Sequence, residues 1–346
     1  MSDLADTGIG RAAPLRRAAR ADVWPGILLA AAVLVVCVML ALALGPASLS
    51  PGRIWHLLLA GPVTGDLDNA IFWQIRMPRV LVAALVGAAL AVAGVILQDL
   101  FLNPLTDPYV TGVSSGAALG AAIGIVLHFS NLPWMTVLAI VGGLGTLTLV
   151  WMAARRRGRI DIFVLLLAGV TISYLASAVV TVLMIKANED MHAIVYWLMG
   201  SFSGRGWSDV EIALVTVPFM AAPLFFTREM DILLQGEKRA LELGVEVERT
   251  KRMLLVTAGV LTALAVSVSG IIGFVGLIVP HIVRLLVGPG HRGLLPVSLL
   301  AGASMMVVAD LLSRTVVSPN EIPVGVVTTF VGAPLFVYLL RRGRRA

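Results

Sequence analysis

The chain is 346 residues long, 58 % hydrophobic and only 13 % charged, with a mean hydropathy of +0.94. No soluble domain of this length has that balance, so the reading is an all-α polytopic membrane protein. The net charge of +6 is not a nucleic-acid footprint, because Lys and Arg fall in clusters between apolar runs, as positive-inside topology requires.

Residues 1–22 are polar, carry Arg11, Arg16, Arg17 and Arg20, and read as a disordered, inside-facing tail. The run Trp24 to Leu44 is longer than the apolar region of a signal peptide, about 7–15 residues, and reads as the first membrane helix. It holds the one cysteine, Cys37, which permits no internal disulfide and reads as a packing residue. An outer segment follows from Ser48 to Phe72, with Trp55 and Trp73 as interfacial anchors. The second and third helices are expected near 80–98 and 112–128, joined by the polar turn Asn103-Pro104-Leu105-Thr106-Asp107-Pro108. The fourth runs about 134–153 and ends at a basic cluster, 155–159; the fifth runs about 162–185. A polar loop, Lys186 to Trp207, contains the short apolar piece Ala193 to Gly200. The sixth helix lies at about 209–226 and precedes the most strongly charged segment, Arg228 to Arg252. The seventh and eighth, about 253–270 and 272–287, are separated by a turn at Gly270 and Gly273. The ninth and tenth lie at about 293–313 and 322–340. A transmembrane domain is thus expected over 23–341, with a basic tail at 342–346.

Ten crossings put both termini on one side. With the N-terminal tail, 155–159, 228–252, 284–292 and 341–345 inside, 20 of the 26 Lys and Arg lie there. Arg53, Arg76, Arg79, Lys186, Arg205 and Arg314 lie outside. An odd number of crossings would destroy that asymmetry, so the expected topology is N-in, C-in.

Within the second crossing, Ala84, Gly87, Ala91, Gly94 and Gln98 recur every three or four residues. Such a face serves close helix packing in lipid, or lines or abuts a pathway. There is no phosphate-binding G-x-x-x-x-G-K-[ST], no H-E-x-x-H and no Cys/His cluster with metal-ligand spacing, so an enzyme or metal-site reading has almost nothing to stand on. His281, beside Arg284 at a helix end, is expected to bond a backbone carbonyl or helix terminus. Intramembrane charges are functional candidates by default; the best is Asp310, four residues before Arg314 and able to pair with it on one helical face. Their scarcity argues that the driving energy comes from outside this chain. The segment Ile232 to Arg252 reads as short amphipathic helices broken at Gly236 and Gly244. It is either a solvated loop on the headgroups or a docking element for a soluble partner.

The chain resembles the permease subunit of type II ABC importers, the FecCD-type family that takes up ferric siderophores, haem and cobalamin. The resemblance runs from about Ile75 to Leu340. It is carried by Arg76-Met77-Pro78-Arg79, Gly87-Ala88, Gln98, Asn103-Pro104-Leu105, Gly112-Val113-Ser114-Ser115-Gly116-Ala117, Leu167-Ala168-Gly169-Val170, Trp197-Leu198-Met199-Gly200, Gly273-Phe274-Val275-Gly276-Leu277, Pro280-His281 and Gly332-Ala333-Pro334. It implies a homodimer in the bacterial inner membrane, with a pathway along the dimer interface. Two cytoplasmic ATPase subunits would carry the ATP and Mg, and a periplasmic binding protein would deliver substrate. This chain itself would bind no cofactor and no metal. Coupling to the ATPase falls on the matching region Leu234, Gly236, Glu237, Ala240, Leu243 and Gly244. Docking of the binding protein falls on Arg76, Arg79 and Arg314. The gate and pathway fall on Gln98, Asn103 and Leu105, with Ile162 and Phe163 contributing from the loop between helices four and five. Those last two are bulky and apolar where some relatives carry small hydroxyl residues.

Three functions follow for test: the importer permease, with a slight lean to haem or another iron chelate over cobalamin; an ion-gradient-driven carrier using Asp310; and a membrane scaffold or intramembrane enzyme. The ordered motifs favour the first.

Overall fold

The computed structural model describes residues 23–45, 50–62, 66–129, 132–156, 158–187 and 190–343. The expected tail 1–22 and residues 344–346 lie outside the described residues.

Helix α1 spans Trp24–Ala43, with a proline in its first turn where the absent N–H costs nothing. Short α2, Pro51–Ala60, starts at Ser50, whose hydroxyl accepts the Arg53 N–H. One continuous helical run, Leu67–Leu100, follows. It comprises α3 (Leu67–Ala70), a π turn (Ile71–Arg76) and α4 (Met77–Leu100). The Asn103–Pro104–Leu105 turn and a single 3-10 turn, Pro108–Thr111, lead into α5 (Val113–Val126). α6 (Leu132–Ala154) and α7 (Ile162–Ala187) are joined by a two-residue-per-strand antiparallel hairpin, β1 (Arg155–Arg156) and β2 (Arg159–Ile160). Then come α8 (Met191–Leu198), α9 (Trp207–Leu214) and α10 (Thr216–Ala221). A 3-10 turn (Ala222–Phe226), α11 (Thr227–Leu233) and α12 (Glu237–Glu242) follow. The chain finishes with α13 (Val247–Ser269), α14 (Val275–Val287), α15 (His291–Thr315) and α16 (Val324–Gly343).

Among the described residues, seven helical segments are long and apolar enough to cross a membrane; Val113–Val126, Val275–Val287 and Val324–Tyr338 are shorter apolar helices. All ten expected apolar segments fall on these helices. Fourteen residues in α5 reach only about 21 Å at 1.5 Å per residue, less than a hydrocarbon core of about 30 Å. The expected sixth helix is not a uniform α-helix. Trp207–Leu233 passes through a 3-10 turn at Pro223, since proline donates no backbone N–H and clashes with the preceding turn.

The molecule is built around α4. In its apolar window 83 % of residues are buried, against 11 % in α1 and 17 % in α7. The small-residue face explains how. A Cβ on Gly87 would lie 2.2 Å from the Gly302 carbonyl oxygen on α15, and one on Gly302 would lie 2.4 Å from the Gly87 carbonyl oxygen. A Cβ on Gly94 would lie 2.0 Å from the Gly276 carbonyl oxygen on α14. Two backbones therefore touch α4 directly, in a medium where apolar surface gives helices little reason to associate and van der Waals packing must do so. Of the two readings of that face, packing accounts for both glycines. The same device joins α5 to α6 through Gly116 and Gly142.

Candidate functional sites at the two ends of α4

At the first turn of α4, Arg79 makes a double ion pair. Its Nε and Nη2 donate to Asp310 Oδ1 at 2.9 and 2.8 Å, and its Nη1 and Nη2 donate to Glu321 Oε1 and Oε2 at 2.8 and 3.1 Å. Asp310 sits on α15 and Glu321 on the loop before α16, so one guanidinium ties three elements together. Arg314 approaches Asp310 more loosely, Nε to Oδ2 at 3.5 Å. The expected i,i+4 pair is thus present, but Arg79 is the stronger partner. Arg314 Nη2 also donates to the Ala41 carbonyl at 2.6 Å, and Arg76 Nη1 donates to the Leu42 and Ala43 carbonyls at 2.6 and 3.2 Å. These are terminal carbonyls of α1, which have no partner within the helix and favour a cation beside them.

Arg76, Arg79 and Arg314, the residues expected to dock a binding protein, come together in this cluster. They are 4 %, 6 % and 4 % exposed, and each donates within the chain. Glu321, whose side chain is 27 % exposed, is the solvent-facing member of the cluster. Burial opposes its charge, but the hydrogen bonds and charge of Arg79 outweigh that and hold its carboxyl below the usual glutamate range.

The other end of α4 carries a second charged cluster. Asp99 Oδ1 accepts from Arg284 Nη2 at 2.9 Å, and Asp99 Oδ2 meets His291 Nε2. His291 Nδ1 lies 2.6 Å from Asp231 Oδ1 on α11. His291 is fully buried and Asp99 nearly so. Sequence reasoning missed this cluster and singled out His281 instead, whose Nδ1 has no hydrogen-bond partner among the described residues. The available signal was Asp99 itself, a carboxylate closing an otherwise apolar run directly after Gln98.

Gln98 is 2 % exposed, and its amide donates to the Gly276 and Leu277 carbonyls at 3.3 and 3.0 Å. It therefore ties α4 to α14. Beyond it, Asn103 Oδ1 accepts the Leu105 N–H at 3.0 Å, an Asx turn that shapes the Asn-Pro-Leu corner. Both residues are exposed.

The segment expected to couple is organised around α12. Gly236 and Gly244 flank it at φ 100° and 77°, the left-handed region that other residues resist. Ala240, fully buried, packs with Val245, Val247, Ile232 and Leu233. Leu241 and Leu243 face outward, 60 % and 51 % exposed, and Leu234 is half-buried. Glu237 pairs with Lys251, which also lies 3.6 Å from Glu248; Glu248 in turn accepts the Ile160 N–H at 2.8 Å. These groups line a cavity of about 830 Å³ together with Arg159, Asp161, Ile162 and Phe163. The structure thus brings Ile162 and Phe163 into one cavity with Glu237 at the start of α12.

A buried helical core with lipid-length apolar helices around it defines a polytopic membrane protein. The chain belongs to the FecCD transport family, whose model matches residues 33–342. It is 48 % identical to the cobalamin import system permease protein of Halobacterium salinarum, over 80 % of this chain and 74 % of that protein. It is 42 % identical to the ferric dicitrate transport system permease protein of Escherichia coli K12 (84 % and 91 % covered). It is 40 % identical to the hemin transport system permease protein of Yersinia pestis (90 % and 95 %). A solved metal-chelate type ABC transporter in an inward-facing conformation superposes with a TM-score of 0.82 at 35 % identity, covering 91 % of this chain and 98 % of that one.

Proposed function

We propose that this chain is the membrane-spanning subunit of an ABC importer for a metal chelate of the cobalamin, haem or ferric-siderophore kind. It works as a homodimer in the bacterial cytoplasmic membrane. Two separate ATPase subunits seat on α12, and a periplasmic binding protein delivers the substrate. The observation that carries this reading is the family match over nearly the whole chain. The outward leucines of α12, on a helix held from behind by Ala240, support the ATPase contact.

The named substrates of relatives at 48 %, 42 % and 40 % identity are cobalamin, ferric dicitrate and hemin, so they support the chelate class and give the lean to haem no preference over cobalamin. Docking of the binding protein at the Arg79 end proceeds by exchange, with a partner carboxylate displacing Glu321 from Arg79. Exchange follows because Arg79 already holds two carboxylates. The carrier alternative has no comparable support. Asp310 is 1 % exposed and held by Arg79 and Arg314, a poor arrangement for a carboxylate that must take up and release an ion.

The test is reconstitution with the cognate ATPase and binding protein, reading ATPase rate while the binding protein is loaded with cobalamin, haem or a ferric siderophore. Stimulation by one loaded form identifies class and substrate together. An ATPase that neither assembles with the chain nor responds to it overturns the reading.

A further inference from the structure

The Asp231–His291–Asp99 cluster joins two parts of the molecule that the importer reading requires to move together. On one side, α12 rests through Ala240 on Ile232 and Leu233 of α11, the residues directly after Asp231. On the other side, Asp99 lies on the last turn of α4. Its carbonyl accepts the Leu102 N–H at 3.1 Å, and the Gln98 carbonyl accepts the Asn103 N–H at 2.9 Å. The Asn103–Leu105 turn is therefore hung on the backbone of Gln98 and Asp99. Leu102, directly before it, sits at φ 47°, a conformation unfavourable for a leucine, so the corner is held by its surroundings.

Between these two parts stands one fully buried imidazole. Each of its nitrogens meets a carboxylate oxygen, and the His291 backbone N–H adds a bond to Asp231 at 3.1 Å. Ionised carboxylates only accept, so the ring must carry both protons to satisfy both contacts. With Arg284 on Asp99, two cations balance two anions. A ring clamped at both ends in this way does not turn without breaking a charged contact.

We infer that His291 is a positioning residue that carries displacement of the coupling segment to the Asn103–Pro104–Leu105 turn. This rests on the importer reading above. A stabilising ion network and a coupling element share the same static geometry, so the evidence must be motional.

The experiment uses the full complex of this chain, its ATPase and its binding protein in nanodiscs, with Cys37→Ser and a reporter Leu105→Cys. The rate of maleimide labelling at the reporter is measured with and without ATP. In the parent complex ATP changes the rate. With His291→Gln the complex still assembles and hydrolyses ATP, while the ATP-dependent change in labelling falls at least about fivefold. Asp231→Asn, at a carboxylate whose side chain is 44 % exposed, gives the same loss with less risk to folding. An unaltered change in either assembled variant overturns the inference while leaving the importer reading intact. Failure of both variants to assemble also overturns it, because the cluster is then a stabilising network only. Failure of the parent itself to assemble with the ATPase is the distinct result that removes the importer reading.

Discussion

Substituting Gly94→Ala tests the claim that α4 is the core against which the other helices are set. The new Cβ would lie 2.0 Å from the Gly276 carbonyl oxygen and 2.6 Å from its carbon, both backbone atoms of α14. No rotamer change relieves a clash with backbone. The two helices must separate by about 1 Å or more, and that shift stretches the bonds from Gln98 to the Gly276 and Leu277 carbonyls, already 3.3 and 3.0 Å long. Overpacking a tight core costs about 1–3 kcal/mol, and a backbone-to-backbone contact belongs at the upper end. At about 2 °C per kcal/mol for a large domain, the thermal midpoint in a fixed detergent should fall by roughly 5 °C. Gly145→Ala is the internal control. No neighbouring atom lies within 4 Å of a Cβ there, and the residue is within α6. Alanine should be neutral or stabilising by up to about 1 kcal/mol through helix propensity. Equal midpoints for Gly94→Ala and the parent, or an equal loss for Gly145→Ala, would refute the packing argument.

Asp310→Ala should destabilise by about 3 kcal/mol, because it removes the buried carboxylate that Arg79 and Arg314 share and leaves Arg79 only the partly exposed Glu321, whereas Glu321→Gln should cost no more than about 1 kcal/mol at its partly exposed site; thermal midpoints of both variants check the contrast. The Glu321 carboxyl is held below its ordinary value of 4.5, so its contribution is fully present above that pH and is lost as pH falls through the lower folded value. Glu321→Gln should accordingly remove part of the acid sensitivity of an unfolding profile below pH 4.5, while near neutrality its small cost should not vary with pH. Tyr109→Phe should cost about 1–3 kcal/mol in thermal or denaturant unfolding. The phenol accepts the Ile272 N–H at 2.8 Å and donates to the Ile272 carbonyl at 2.5 Å, and both would lose a partner. Glu237→Ala and Gly244→Val should leave the isolated chain folded but lower ATP-driven uptake per ATP hydrolysed. The first releases Lys251, and the second forces a β-branched residue into φ 77° at the exit of α12.

The order and position of the apolar helices were legible because hydropathy along the chain is a local property. The role of the Gly87 and Gly94 face was legible as a pair of alternatives, and only the partners Gly302 and Gly276 decided between them. Gly236 and Gly244 were recognisable as breaks for the same local reason. What sequence could not supply was partnership across long separations. Asp310 read as a neighbour of Arg314, yet its main partner, Arg79, is 231 residues away. Asp99 and His291, 192 residues apart, did not register at all. The intrachain partners of the arginines were equally hidden, because an Arg near a helix end looks the same in sequence whether or not it caps the carbonyls of α1. The bonds from Gln98 to α14 were hidden likewise, since a polar residue ending a small-residue face does not name its partner.

The central claim is that this chain moves a chelate only with energy supplied by a separate ATPase. The most direct test is uptake of labelled substrate into proteoliposomes containing this chain, its ATPase and its binding protein, with ATP inside and ion gradients either imposed or collapsed. The account predicts uptake that requires ATP and the binding protein and is indifferent to the gradients. Uptake that persists without ATP and follows an imposed gradient would contradict it.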